Sequence, residues 1–215
     1  MNDWLYQFAV YAEYFPILLA IFCIKSLDKS LKWFLLGSIL STFGSIVSLK
    51  LSQRGINNHF MIYVNATTLF IFRTLFFYYF LDSKKLKISL LVCLFSYLIL
   101  VVFDIFTKGI YMNELLFSIY DVWLIIFCLI SLNQIFNDES IESLRAYPHF
   151  WIVLGTLIFI VFDFLLTLLN NWLYAVNRNF FFVLWDYIVP IFMLIRVVML
   201  SVGFWLTRKY RLSLM

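Results

Sequence analysis

Long apolar runs alternate with short polar connections along the whole chain. Seven runs stand out: Leu5–Ile24, Trp33–Leu51, Phe60–Leu81, Ile88–Phe106, Leu115–Phe136, Phe150–Leu169 and Phe180–Leu206. Each is long enough for a helix to cross hydrocarbon, which takes about 20 apolar residues. The runs are almost continuously apolar, not striped, so no helix face is reserved for water. A spanning barrel would need alternating runs of about 10 residues. In lipid, the need to satisfy backbone groups internally overrides the strand preference of the many Phe and Val residues. The pattern predicts an all-α integral membrane protein, a seven-helix bundle forming a single domain over residues 1–215. The connections are too short to hold a soluble domain, so any chemistry belongs to the helices or their mouths.

Composition removes the alternatives. The chain has 215 residues, 64% hydrophobic, 21% aromatic and 13% charged. A soluble domain is about half apolar and about a quarter charged, and too much of its surface stays wet to hide this excess. The net charge of +4 follows from where Lys and Arg fall. The N-terminal head and the even-numbered connections carry Lys50, Arg54, Lys108 and Arg178. The odd-numbered connections and the tail carry Lys25, Lys29, Lys32, Lys84, Lys85, Lys87, Arg145, Arg208, Lys209 and Arg211. The richer side is expected to be cytoplasmic, which puts the N-terminus outside and the C-terminus inside a cytoplasmic (inner) membrane. Trp4, Trp33, Trp151, Trp172 and Trp205 fall near run ends, where an aromatic belt belongs. The head, Met1-Asn2-Asp3-Trp4, lacks the basic region of a cleaved signal peptide, so the first helix is expected to be its own insertion signal. Nucleic acid is not an expected partner; the lipid bilayer is.

Several chemistries lack their residues. Cys23, Cys93 and Cys128 all lie inside apolar runs and read as small hydrophobes, without disulfide or metal roles. His59 and His149 fall on opposite sides of the bilayer and cannot share a zinc or serve a mid-membrane Ser–His pair. No lysine sits deep in a helix to hold retinal, and no glycine loop cradles phosphate. The expectation is a non-enzyme without a cofactor. Asp163 and Asp186 on consecutive helices could form a hydrolytic carboxyl pair, but the glycine pattern of intramembrane aspartyl proteases is absent.

The second run carries Gly37, Ser41, Ser45 and Ser48 on one face, with Gly44 beside them. Small residues let helices approach closely in lipid, so this face reads as a packing seam or an oligomer contact. Pro16 and Pro190 each remove a backbone hydrogen bond and can kink the first and last helices.

The charges inside the runs carry the functional reading: Glu13, Arg73, Asp104, Asp121, Asp163, Asp186 and Arg196. Each costs about 2.5–3.5 kcal/mol at mid-helix, so they are expected to face one another or water. At about 1.5 Å per residue, Asp121, Asp163 and Asp186 fall in the outer half, Glu13 near the middle, and Arg73 and Arg196 just below it. Asp104, near the outer end of its helix, reads as the weakest member. Asn65, Thr68, Phe72 and Arg73 share a stripe of the third helix about 140° wide. The candidate ligand- or ion-binding residues are Glu13, Asn65, Arg73, Asp121, Asp163, Asp186 and Arg196, lining an acidic polar cavity open to the outside. A set of satisfied interhelical pairs without a ligand is the plainer alternative.

Phe76, Phe77 and Phe80-Leu81-Asp82-Ser83-Lys84-Lys85 form an aromatic-rich third helix ending in Phe-Leu-Asp and a basic turn. This resembles bacterial seven-helix membrane receptor (7TM sensor) modules, which are usually fused to histidine kinases or cyclic-dinucleotide enzymes. The resemblance covers about one helix and implies sensing through a separate signalling partner. A weak internal repeat also appears: the third and seventh helices each carry a mid-helix Arg, followed by basic pairs at Lys84-Lys85 and Arg208-Lys209. A three-plus-one-plus-three transporter would produce it. The leading expectation is a membrane sensor or accessory subunit that binds a proton, cation or small ligand. Arg208 to Arg211, or the acidic turn Asp138-Glu139-Ser140-Ile141-Glu142, would contact the partner. A small transporter for a cation or cationic metabolite, or a structural membrane subunit, are the alternatives.

Overall fold

The structure, a computed structural model, describes residues 4–109 and 114–213. The readings of the Met1-Asn2-Asp3 head and of residues 110–113 in the fourth connection fall outside the described residues. Every regular element among them is helical. Among the described residues, seven helices are long and apolar enough to cross a membrane, which suits a multi-pass membrane protein.

The first span is two helices in register, α1 (Trp4–Ala12) and α2 (Tyr14–Phe22), joined at Glu13. Glu13 keeps helical dihedrals (φ −61°, ψ −19°), so the junction is a kink and not a loop. The following spans are α3 (Lys29–Gln53), α4 (His59–Phe80), α5 (Lys84–Lys108), α6 (Glu114–Asn137) and α7 (Pro148–Val176). The last combines α8 (Arg178–Val183), a π-helical turn at Leu184–Ile188, and α9 (Val189–Ser213).

Several helices outrun their apolar segments because polar residues finish them. Asp28 caps α3, its Oδ1 accepting from the Leu31 N–H and from Ser30 Oγ, each at 2.8 Å. This starts the helix well before Trp33, where hydropathy alone begins it. Asn177 caps α8 by accepting from the Phe180 N–H at 3.0 Å. Gly55 and Gly109 follow α3 and α5 with φ of 68° and 72°, a left-handed conformation that glycine adopts without a Cβ penalty.

Contacts group the chain into two compact units. One comprises the chain up to Leu27 and from Leu124 onward; the other is Asp28–Trp123. In the first, α7 and α9 pack face to face, and α1 and α2 lie along α9. Gly155 permits the approach of α7 and α9: a Cβ there would come within 2.7 Å of Met199 Cβ.

In the second unit, α3 and α4 make the tightest pairing. The small-residue face of α3 is filled by α4. A Cβ at Gly37 would lie 2.4 Å from Phe72 Cβ, and one at Gly44 would lie 3.1 Å from Asn65 Oδ1. Ser45 Oγ accepts from Asn65 Nδ2 at 3.1 Å, and Ser48 Oγ accepts from Asn58 Nδ2 at 2.8 Å. The face is therefore a seam within the chain. Gly37→Ala should force α3 and α4 apart and cost about 1–3 kcal/mol, as overpacking does. Detergent unfolding followed by circular dichroism reads this, and an unchanged midpoint would show that the seam has slack.

Candidate functional site

The intramembrane charges divide between the two units. In the terminal unit, two prolines set the local geometry. Pro16 has no N–H to offer the carbonyl of Ala12, and its ring crowds that carbonyl; the chain bends at Glu13, between them. Pro190 stands in the same relation to Asp186. Here the helix widens, and the Val189 N–H reaches back five residues to the Leu184 carbonyl. Such π turns are frequent at functional sites. Glu13 and Asp186 thus both occupy turns with a weakened backbone ladder, and α1 packs against the π turn.

Arg196, on α9, donates from Nη2 to Glu13 Oε1 in an ion pair. The two side chains are only 16% and 11% exposed, so neither charge is easily neutralised by bulk water. The Arg196 guanidinium also lies over the Phe159 ring, 4.0 Å from its centroid, an attraction that strengthens when water is excluded. Its Nε is buried without a hydrogen-bond partner, leaving one donor for a further acceptor. Beside it, Phe162 and Phe192 stack at 3.9 Å between centroids, joining α7 to α9. Asp163 follows on α7 and lies within electrostatic reach of the Tyr6 hydroxyl. Tyr6, Glu13, Asp163 and Arg196 therefore belong to one unit, with three carboxyls (counting Asp186) against one guanidinium inside its spans.

In the other unit, α4 presents two opposite faces. Asn65 and Phe72 point to α3, where Asn65 meets Ser45 and Phe72 meets Gly37. Arg73, 6% exposed, lies on the flank with its guanidinium 3.4 Å from the Phe34 ring centroid. The stripe containing Asn65, Phe72 and Arg73 is thus engaged with α3. Half a turn round the helix, Tyr63 and Phe70 join an aromatic cluster with α5 and α6. Phe70 sits 4.6 Å from Tyr97 and 5.3 Å from Tyr120, Tyr97 sits 5.9 Å from Tyr120, and Tyr63 sits 5.4 Å from Phe117, all between ring centroids. Two carboxyls are buried here, Asp104 at 5% and Asp121 at 1% exposure. Asp104 Oδ2 accepts from Tyr63 Oη at 2.6 Å, so its neighbours are protein and not only the membrane interface.

The tyrosines were not visible as site residues in an apolar sequence rich in aromatics. What the sequence does carry is the spacing of the buried face on which they lie. Leu90, Tyr97 and Asp104 recur every seven residues on α5, as Tyr63, Phe70 and Phe77 do on α4, and all six are buried.

The two candidate partner contacts are differently built. In the acidic turn, Asp138 Oδ1 accepts from the Ser140 N–H at 3.0 Å and from Ser140 Oγ at 2.7 Å. These bonds hold its carboxyl below the ordinary range. At the basic end of α9, Arg208 lies over the Phe22 ring at 5.9 Å. Cys23, at the end of the first span, is buried. Cys93 and Cys128 are buried as well. Among the described residues, no three His, Cys, Asp or Glu side chains converge where a metal would sit.

Comparison of the chain with protein-family models, curated proteins and solved structures finds no match.

The ion pair makes a specific energetic prediction. Arg196→Met removes the guanidinium from the buried Glu13 carboxyl and should cost about 3–5 kcal/mol. Adding Glu13→Gln should recover most of that loss. Detergent unfolding of both single variants and the double variant measures the coupling; strictly additive effects would show that the two groups do not stabilise each other.

Proposed function

We propose that this chain is a multi-pass sensor or accessory subunit of a cytoplasmic (inner) membrane, with its N-terminus outside, its C-terminus cytoplasmic and no catalytic activity. The observation that carries this reading is the Glu13–Arg196 pair at a proline kink. A charge pair sealed from water is a two-state device: a proton or cation that competes for Glu13 releases Arg196, whose buried Nε–H already lacks an acceptor. Asp163 is the neighbouring carboxyl able to take the guanidinium or the ligand. The prolines lower the cost of bending α1 against α2 and the π turn against α9. Movement of α9 then reaches its basic end, where Arg208 lies over the Phe22 ring, and from there a signalling partner. The resemblance of the third span to seven-helix receptor modules supports the same direction. Asn65, Arg73 and Asp121 are the candidate ligand residues of the other unit.

One observation favours transport of a cation or cationic metabolite instead. The first and last spans are both interrupted next to a carboxyl, and discontinuous helices frame binding sites in many secondary transporters.

Proteoliposomes decide between the readings. Proton and Na⁺ flux should be absent for a sensor, while a signalling protein co-purifies with the parent chain and is lost with Glu13→Gln. Flux abolished by Asp163→Asn would establish transport and overturn the sensor. The topology has its own test: green fluorescent protein fused after Met215 should fluoresce, as it does in the cytoplasm. A dark fusion, with alkaline phosphatase active at the same position, would invert the chain.

A further inference from the structure

Where α3 begins and α4 finishes, in the Asp28–Trp123 unit, two consecutive tyrosines of α4 each carry a lysine from a neighbouring helix. Lys29 Nζ of α3 lies 4.1 Å from the centroid of the Tyr79 ring, and Lys87 Nζ of α5 lies 5.7 Å from that of Tyr78. On the α3 side, Trp33 completes the arrangement. Its ring stacks on Tyr79 with 6.4 Å between centroids and 7° between planes, and it packs on Phe72 at 5.9 Å. We propose that this edge of the α3–α4 seam binds one anionic phospholipid, with the phosphate on the ammoniums of Lys29 and Lys32 and an acyl chain running from Trp33 along Leu36 and Leu40. The inference needs only that α3 and α4 cross a bilayer, in either direction. It is independent of the ion pair in the other unit.

Register is the first support. At about 100° per residue, Lys29, Trp33, Leu36 and Leu40 fall within about 60° of one another on α3, with Lys32 on the flank of that stripe. The stripe passes from charge through an aromatic ring to hydrocarbon as it enters the span. A phospholipid runs in the same order from headgroup to tail. Lys29, Lys32, Leu36, Leu40 and Tyr79 are all exposed, so the stripe is open to the bilayer along its length.

Charge is the second. Lys29 and Lys32 stand against Asp28 alone on the first turn of α3, and Asp28 Oδ1 is committed to the cap, accepting from the Leu31 N–H and Ser30 Oγ. Among the described residues, neither lysine forms an ion pair. At the same end, Lys84, Lys85 and Lys87 outnumber Asp82, so the neighbouring helix does not reverse the sign. Basic residues at the end of a span draw anionic lipid headgroups. A zwitterionic headgroup brings its own cation to the lysines, and an acidic protein segment leaves the Leu36–Leu40 continuation without a role.

Preorganisation is the third. A free lysine loses much rotamer freedom when it binds. Here the Tyr79 ring holds the Lys29 ammonium in advance, and Trp33 holds the ring. The ammonium has three donors, so the face turned from the ring is left for phosphate oxygens.

Native mass spectrometry of the full chain, purified in detergent and mixed with equal amounts of phosphatidylglycerol and phosphatidylcholine, tests this. The parent should retain one phosphatidylglycerol in preference to phosphatidylcholine by about fivefold or more. Lys29→Gln combined with Lys32→Gln should remove that preference. Tyr79→Ala, which keeps both charges, should lower it about threefold. Lys84→Gln combined with Lys85→Gln takes the same charge from the same end, but from α5, and should change it less than about twofold. Equal retention of both lipids by the parent, equal losses from the two lysine pairs, or an unchanged preference in Tyr79→Ala would each overturn the proposal. So would a dimer of the chain that takes the place of the lipid and is lost with Lys29→Gln and Lys32→Gln. Should Tyr79→Ala fail to fold, the two lysine pairs decide alone. The flux and co-purification assays do not read lipid retention, so the two proposals stand or fall separately.

Discussion

A charged side chain in a span has no water to fall back on, and in this chain each unit answers that constraint in its own way. In the terminal unit, Glu13 and Arg196 satisfy each other directly, with Phe159 as a third partner to the guanidinium. Bringing them together requires the first and last spans to lie side by side, and it requires Glu13 to point inward from a kink. Pro16 makes that kink inexpensive because the hydrogen bond it would break can never form. The ion pair and the bent backbone are therefore one feature: the proline frees the turn, and the charge fixes where it points.

The other unit relies on aromatic rings. Arg73 is held over Phe34, and the Asp104 carboxyl accepts from the Tyr63 hydroxyl. A tyrosine serves such a place well, since its ring fills a helix interface while its hydroxyl meets a polar group. The division of labour on α4 follows from 3.6 residues per turn: Asn65 and Phe72 close the seam with α3, and Tyr63 and Phe70 build the opposite cluster.

Much of the architecture was legible in the sequence because hydrophobic length is a strong signal. All seven helices lie over the seven apolar runs, with ends displaced where polar residues such as Asp28 and Asn177 complete a helix that hydropathy does not register. Glu13, Arg196 and Asp121 were visible because a charge in an apolar run is conspicuous. Their partners were harder to read. Nothing in a single sequence says that Arg196 meets Glu13, 183 residues away, since that depends on which spans are neighbours. The tyrosines were hidden for the opposite reason. In a chain with 26 Phe and 13 Tyr, another aromatic residue carries little information until its hydroxyl is seen beside a carboxyl. Periodicity puts Asn65, Thr68, Phe72 and Arg73 in one stripe of the helix, but it could not say that Asn65, Phe72 and Arg73 meet α3.

The π turn at Leu184–Ile188 carries one residue more than an α-helical turn would hold. That surplus is absorbed where it arises. An α-helical residue advances its helix by about 100°, and the wider turn gives each residue a smaller advance, so its five residues cover nearly the angle of four. Deleting one residue within the turn would let the backbone close into regular α-helix and leave Arg196 still facing Glu13. The same deletion between the turn and Arg196 would swing the guanidinium away by more than a quarter of a circle, although neither side chain had been altered.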